Sequence, residues 1–188
     1  MTTANIITLS RIAMIPCFVL AAAYYVDGFK MGVAEDWQYL LTVALFTLTA
    51  VADGVDGYVA RRFNQKTRLG SILDPIADKA LLITALLFLS WNHGDAFNQL
   101  PLWFPILVLS RDIIVVLGVA IVFMMGRGFD IQPHWTGKFA TVLQMITIGL
   151  VLLKVPVPSW QVPLWLAGFF TLISGIIYVV QGVRKLGA

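Results

Sequence analysis

Six long apolar runs, each near the length of a bilayer-spanning helix, constrain this chain more than any other feature. They cover about 6–26, 37–60, 71–91, 102–125, 138–154 and 161–182, and a spanning helix needs roughly 20 mostly apolar residues. Short connections separate them, at Asp27–Asp36, Arg61–Gly70, Asn92–Pro101, Gly126–Gly137 and Val155–Trp160. A chain that is 59% hydrophobic and 12% charged cannot cover itself with a polar surface, since a soluble domain carries about 25% charged residues. Strict alternation of apolar and polar residues is absent, which argues against a β-barrel. The expectation is an all-α integral membrane protein with six transmembrane helices, forming one domain over 1–188. The N-terminal run continues too far for a secretory signal. The single cysteine, Cys17, excludes an internal disulfide.

The basic residues orient these runs. With the N-terminus in the cytoplasm, Arg11, Arg61, Arg62, Lys66, Arg68, Lys79, Arg127, Lys138, Arg184 and Lys185 all fall at the cytoplasmic side. Only Lys30 and Lys154 fall outside, and Arg111 lies within the fourth run. Positive charge concentrates on the cytoplasmic side of membrane proteins, so both termini are expected there, in a bacterial inner membrane. Trp37, Trp91, Trp103, Trp135 and Trp160 stand near run ends, as interfacial anchors do. His93 and His134 read as connection residues without chemistry. No nucleic-acid partner is expected.

Four of the ten acidic residues flank one connection: Asp53, Asp56, Asp74 and Asp78. The orientation brings the end of the second run and the start of the third to the cytoplasmic side, so all four meet there. Spacings of three and four residues put each pair on one helix face. Two converging carboxylate pairs repel unless cations bind or protons remain. Hard divalent ions with oxygen ligands, Mg²⁺ or Mn²⁺, answer that need. Gly57, Ala60 and Gly70 remove bulk where a ligand can approach the backbone, and Arg61 offers a planar fork suited to phosphate oxygens. Carboxylates, metal, arginine and small residues together indicate phosphoryl-group chemistry, in which two metals can clamp a phosphate and a free carboxylate can take a proton from an attacking hydroxyl. The bland alternative is a set of helix caps and ion pairs with Arg61, Arg62, Lys66, Arg68 and Lys79. A small cation transporter is the non-enzyme alternative; it predicts acids spread through the bilayer depth rather than clustered at one face.

The run Asp53-x2-Asp56-Gly57-x2-Ala60-Arg61-x8-Gly70-x3-Asp74-x3-Asp78 resembles the signature of the CDP-alcohol phosphatidyltransferases, with no departure at any specified position. The six-run plan and the segment Asn5-Ile-Ile-Thr8-Leu-Ser-Arg11 extend the likeness over nearly the whole chain. The resemblance implies a six-helix membrane enzyme, a homodimer, with its active site at the cytoplasmic side of helices two and three. It implies CDP-diacylglycerol as donor and CMP as leaving group. It makes Asp53, Asp56 and Asp74 ligands of two ions, and shares Asp78 between metal contact and general base. Gly57, Ala60, Arg61 and Gly70 would contact the cytidine diphosphate.

The acceptor is read from thinner signals. The segment Thr67–Lys79 is similar to two subgroups, phosphatidylglycerophosphate synthases and cardiolipin synthases, which act on glycerol-type hydroxyls of a sugar phosphate or a lipid. Arg111, in Ser110-Arg111-Asp112, and Lys138, in Thr136-Gly137-Lys138, are the candidate acceptor ligands. Against these stand a mutually neutralising Arg111–Asp112 pair and a lysine that merely snorkels to the interface. The first subgroup tends to carry a second arginine further along run four and a second lysine two residues after the first in run five. Here Val115–Ala120 holds no arginine, and Ala140 takes the second position. Glycerol 3-phosphate is a dianion and calls for more cations than a lipid diester does. The sequence therefore predicts phosphatidylglycerol as acceptor, giving cardiolipin, with glycerol 3-phosphate as the alternative.

Overall fold

The computed structural model describes residues 3–62, 68–91, 93–124 and 135–187, with side chains described except at 3–8, 53–62, 68–75, 119, 122–123 and 184–187. Among the described residues six α-helices run in chain order: α1 (Thr3–Met31), α2 (Asp36–Arg62), α3 (Arg68–Ser90), α4 (Trp103–Met124), α5 (Trp135–Leu152) and α6 (Gln161–Gly187). One 3₁₀ turn, Gly94–Ala96, lies between α3 and α4. No strand occurs among the described residues. Each helix corresponds to one apolar run. Three are long and apolar enough to cross a membrane within the described residues: Leu9–Met31, Trp135–Leu152 and Gln161–Val183.

Two compact units divide the chain, Met1–Gln99 and Leu100–Ala188. In the first, α1 packs against both α2 and α3. Its inward stripe is Arg11, Ile15, Phe18, Ala22 and Tyr25, all buried, at the alternating four- and three-residue spacing that keeps side chains on one face. Thr42, Phe46 and Thr49 form the buried stripe of α2, and Leu82, Ala85 and Leu89 that of α3. Ring pairs fix the register: Phe18 meets Phe46 at 5.7 Å and Tyr25 meets Tyr39 at 5.6 Å. The α1 partner advances by seven residues while the α2 partner retreats by seven, so the two helices are antiparallel.

The first connection is shorter than the sequence predicts. Helix α1 continues through Asp27 to Met31, because Gly32 supplies a left-handed residue at φ +72° where a glycine carries no steric penalty. Val33 N–H donates to Gly28 O at 2.9 Å and Gly32 N–H to Phe29 O at 3.1 Å, the Schellman pair that satisfies the last carbonyls of a helix. Helix α5 ends in the same way at Lys154, φ 53°, with Val155 N–H on Leu150 O at 3.1 Å. Helix α5 also begins at Trp135, ahead of the expected 138.

His93 is not a bystander of the third connection. Its ring is 3% exposed, tilted on Phe88 at 5.4 Å and edge-on to Phe97 at 6.2 Å, which packs in turn on Tyr25 at 5.2 Å. Its Nε2 bonds the Phe88 carbonyl at 2.5 Å. Burial pulls its pKa below the ordinary value; the Phe88 carbonyl opposes this and Lys30 adds to it. The ring is neutral in native and unfolded chains above about pH 6.5. Below that the unfolded chain takes up a proton that the native ring refuses, so stability falls as pH falls. The unfolding midpoint of the detergent-solubilised protein is expected to drop between pH 7 and pH 5, by at most about 1.4 kcal/mol of stability per pH unit. His93→Phe should flatten part of that slope, and an identical slope in the variant would refute the assignment.

In the second unit α6 packs against α4 and α5. Its inward face is small: Ala167, Thr171 and Ser174 are fully buried. Small residues let helix backbones approach closely where no hydrophobic drive separates helix from lipid. A Cβ at Gly168 would lie 3.0 Å from the Trp103 ring, which stacks on Trp165 at 4.9 Å. Trp160 departs from its expected interfacial role: at 6% exposure it belongs to the core of this unit.

Candidate functional site

The aspartates stand on unbroken helix. Asp53, Asp56, Gly57, Ala60 and Arg61 lie in the last turns of α2, and Gly70, Asp74 and Asp78 in the first turns of α3. The side chains of all but Asp78 lie outside the described residues. The register is nevertheless informative. Positions 53, 56 and 60 continue the buried stripe of Thr42, Phe46 and Thr49 at the same alternating spacing. Asp78, half-buried, sits one turn before Leu82 on the stripe that α3 turns inward, and Asp74 one turn earlier. By register, positions 53, 56, 74 and 78 fall in line with stripes that are core further along their helices. Among the described side chains no group of three or more His, Cys, Asp or Glu gathers.

Arg11 joins them. The step that carries Phe18–Phe46 from Tyr25–Tyr39 leads, one heptad further, to Arg11 on α1 and Asp53 on α2. Arg11 is 2% exposed. A charged side chain buried in a membrane protein needs an opposite charge or ligand nearby. The sequence alone marks Arg11 only as one cytoplasmic-side cation. Its four- and three-residue spacing to Ile15, Phe18 and Ala22 is the signal that finds it.

The second unit places Arg111 in a clasp. Its Nη1 donates to Asp112 at 2.8 Å, and Nη2 and Nε donate to Ser174 Oγ at 2.8 Å and 3.3 Å. The guanidinium carbon lies 5.3 Å from the centre of the Tyr178 ring, within cation–π range. Gly137 and Gly175 leave room for it: a Cβ there would lie 2.6 Å from Nη2 and 3.5 Å from Cγ. The side chain is thus both neutralised by Asp112 and held in one orientation. Beside it is a cavity of about 270 Å³, lined otherwise mainly by aliphatic side chains such as Leu107, Ile114 and Leu172. Lys138 is exposed, one residue beyond Gly137. The structure gathers Ser174, Tyr178 and Gly137 around Arg111, and none of the three stands out in the sequence as a site residue.

Comparison with known proteins bears on what these groups do. The family model described as CDP-alcohol phosphatidyltransferase matches residues 1–177 and so spans both units. A Bacillus subtilis protein named CDP-diacylglycerol--glycerol-3-phosphate 3-phosphatidyltransferase is 35% identical, over 97% of this chain and 95% of its own length. Proteins of the same name from Pseudomonas fluorescens and Escherichia coli K12 are 32% and 30% identical. They cover 93% and 86% of this chain, and 83% and 78% of their own lengths.

Proposed function

The chain belongs to the CDP-alcohol phosphatidyltransferase family, and from this we propose that it transfers a phosphatidyl group from CDP-diacylglycerol to glycerol 3-phosphate. It is an enzyme of phospholipid biosynthesis, so the transporter alternative falls. The observation that carries the acceptor is the shared name of relatives matched over most of both chains. It outweighs the count of cations in α4 and α5 that predicts phosphatidylglycerol. That count misses orientation: one guanidinium held as Arg111 is can grip two phosphate oxygens.

The proposed roles follow the chemistry of each group. Asp53, Asp56 and Asp74 would hold two Mg²⁺ or Mn²⁺ ions, and Asp78 would serve both as a metal contact and as the general base. The fit rests on oxygen-only donors paired on unbroken helix faces. When bound, such ions neutralise charge on the pyrophosphate. Gly57, Ala60 and Gly70 let the cytidine diphosphate approach the helix backbone, and Arg61 binds its phosphates. Arg111, with Lys138, takes the phosphate of the acceptor. The acceptor hydroxyl oxygen attacks the phosphorus next to diacylglycerol, its proton passes to the Asp78 carboxylate, and the phosphorus–oxygen bond to CMP breaks. Catalysis of this kind is mostly positioning and charge stabilisation. The basic bias of the connections supports a cytoplasmic location for the aspartates, in a bacterial inner membrane.

The apolar cavity beside Arg111 favours a second reading, phosphatidylglycerol, whose acyl chain it would suit. One assay separates the two. Purified protein with CDP-diacylglycerol and Mg²⁺ is given glycerol 3-phosphate or phosphatidylglycerol, and the lipid product is identified. Phosphatidylglycerophosphate is expected, with chelation stopping CMP release. Cardiolipin as the sole product would overturn the proposal.

A further inference from the structure

Arginine is a flexible side chain whose grip on a phosphate depends on where its planar fork points. Arg111 has been given its direction by residues on two other helices. Ser174, fully buried on α6, accepts from both Nε and Nη2, so one oxygen fixes one edge of the fork. Asp112 takes one N–H of Nη1. Of the five N–H donors of a guanidinium, those three contacts leave one on each terminal nitrogen, two donors for phosphate oxygens.

The scaffold behind Ser174 is itself tied. Thr171, three residues earlier on the same face of α6, accepts from Gln144 Nε2 of α5 at 2.8 Å and donates to the Ala167 carbonyl at 2.6 Å. Gln144 stands seven residues after Gly137, on the face of α5 that is buried. Helix α5 therefore touches Arg111 through the open side of Gly137 and anchors α6 through Gln144. A methyl at Gly137 would lie 2.6 Å from Nη2, nearer than real side-chain contacts come. The mobile end of the arginine would have to move.

We propose that Ser174 and Gly137 are positioning residues for the acceptor, aiming the Arg111 fork at its phosphate. This rests on the reading that Arg111 binds the acceptor. Neither residue touches substrate: Ser174 acts by holding the guanidinium, and Gly137 by leaving it space. Gly137→Ala is the informative change, since it displaces the fork without deleting any hydrogen-bonding group.

The test is steady-state kinetics of purified protein in mixed micelles with CDP-diacylglycerol and Mg²⁺, with unfolding midpoints measured alongside. Ser174→Ala and Gly137→Ala are each expected to raise KM for glycerol 3-phosphate about tenfold, the effect of losing roughly one charge-assisted hydrogen bond. KM for CDP-diacylglycerol and kcat should hold within about twofold, and Ser174→Thr should restore the acceptor KM. A folded Gly137→Ala enzyme with an unchanged acceptor KM overturns the proposal, and so does an equal loss in kcat and in both KM values. If Ser174→Ala does not fold, Gly137→Ala decides. Wild-type enzyme that uses phosphatidylglycerol and ignores glycerol 3-phosphate would overturn the acceptor assignment instead, and the same KM comparison made with phosphatidylglycerol then decides the role of Ser174 and Gly137. Turnover of neither acceptor overturns both.

Discussion

Asp78→Asn is expected to lower turnover by about 10²–10⁴-fold, the range that a positioned general base contributes. The substitution keeps the shape of the side chain but removes its capacity to hold a proton. Asp78 is the member of the quartet that the structure describes, half-buried one turn before Leu82. That position limits water access to the carboxylate. Single-turnover release of CMP is the direct measurement, since it isolates the chemical step from product release. Binding of CDP-diacylglycerol should persist, because Asp53, Asp56 and Asp74 remain. Turnover within a few-fold of wild type would assign the base elsewhere.

Arg111→Ala is expected to raise KM for glycerol 3-phosphate by about 10–100-fold, as hydrogen bonds to a charged group are worth roughly 1.5–3 kcal/mol. It should also destabilise the second unit. Asp112 is 15% exposed as a side chain and pairs with Arg111 at 2.8 Å, so the alanine variant removes the guanidinium that offsets a mostly buried carboxylate. The double variant Arg111→Ala/Asp112→Ala separates the two effects: the unfolding midpoint should recover while the acceptor KM does not. Recovery of both would mean that Arg111 matters only as the partner of Asp112. Arg111→Lys keeps the charge opposite Asp112 but loses the fork, and should fall between wild type and alanine in acceptor KM.

The helices were readable from hydropathy because each must bury about the same length of apolar side chain. Their ends were less readable. Asp27 and Lys30 look like connection residues, yet α1 runs on to Met31 because the cap is made by backbone geometry at Gly32. Trp160 sits where an interfacial anchor would, but its burial depends on the helices of its unit. The acceptor was the hardest reading. Counting cations weighs Arg111 as one charge and takes no account of its hydrogen bond to Ser174, which lies 63 residues away in the chain.

The spacing of Asp53, Asp56, Asp74 and Asp78 was enough to predict carboxylate pairs suited to a hard metal ion and phosphoryl chemistry, because helical periodicity is local and turns residue intervals directly into faces. The burial of Arg11, and Ser174, Gly137 and Tyr178 around Arg111, had to await the packed helices. Which residues of separate helices meet is set by register and by how closely small residues let backbones approach, and neither is written in any one segment.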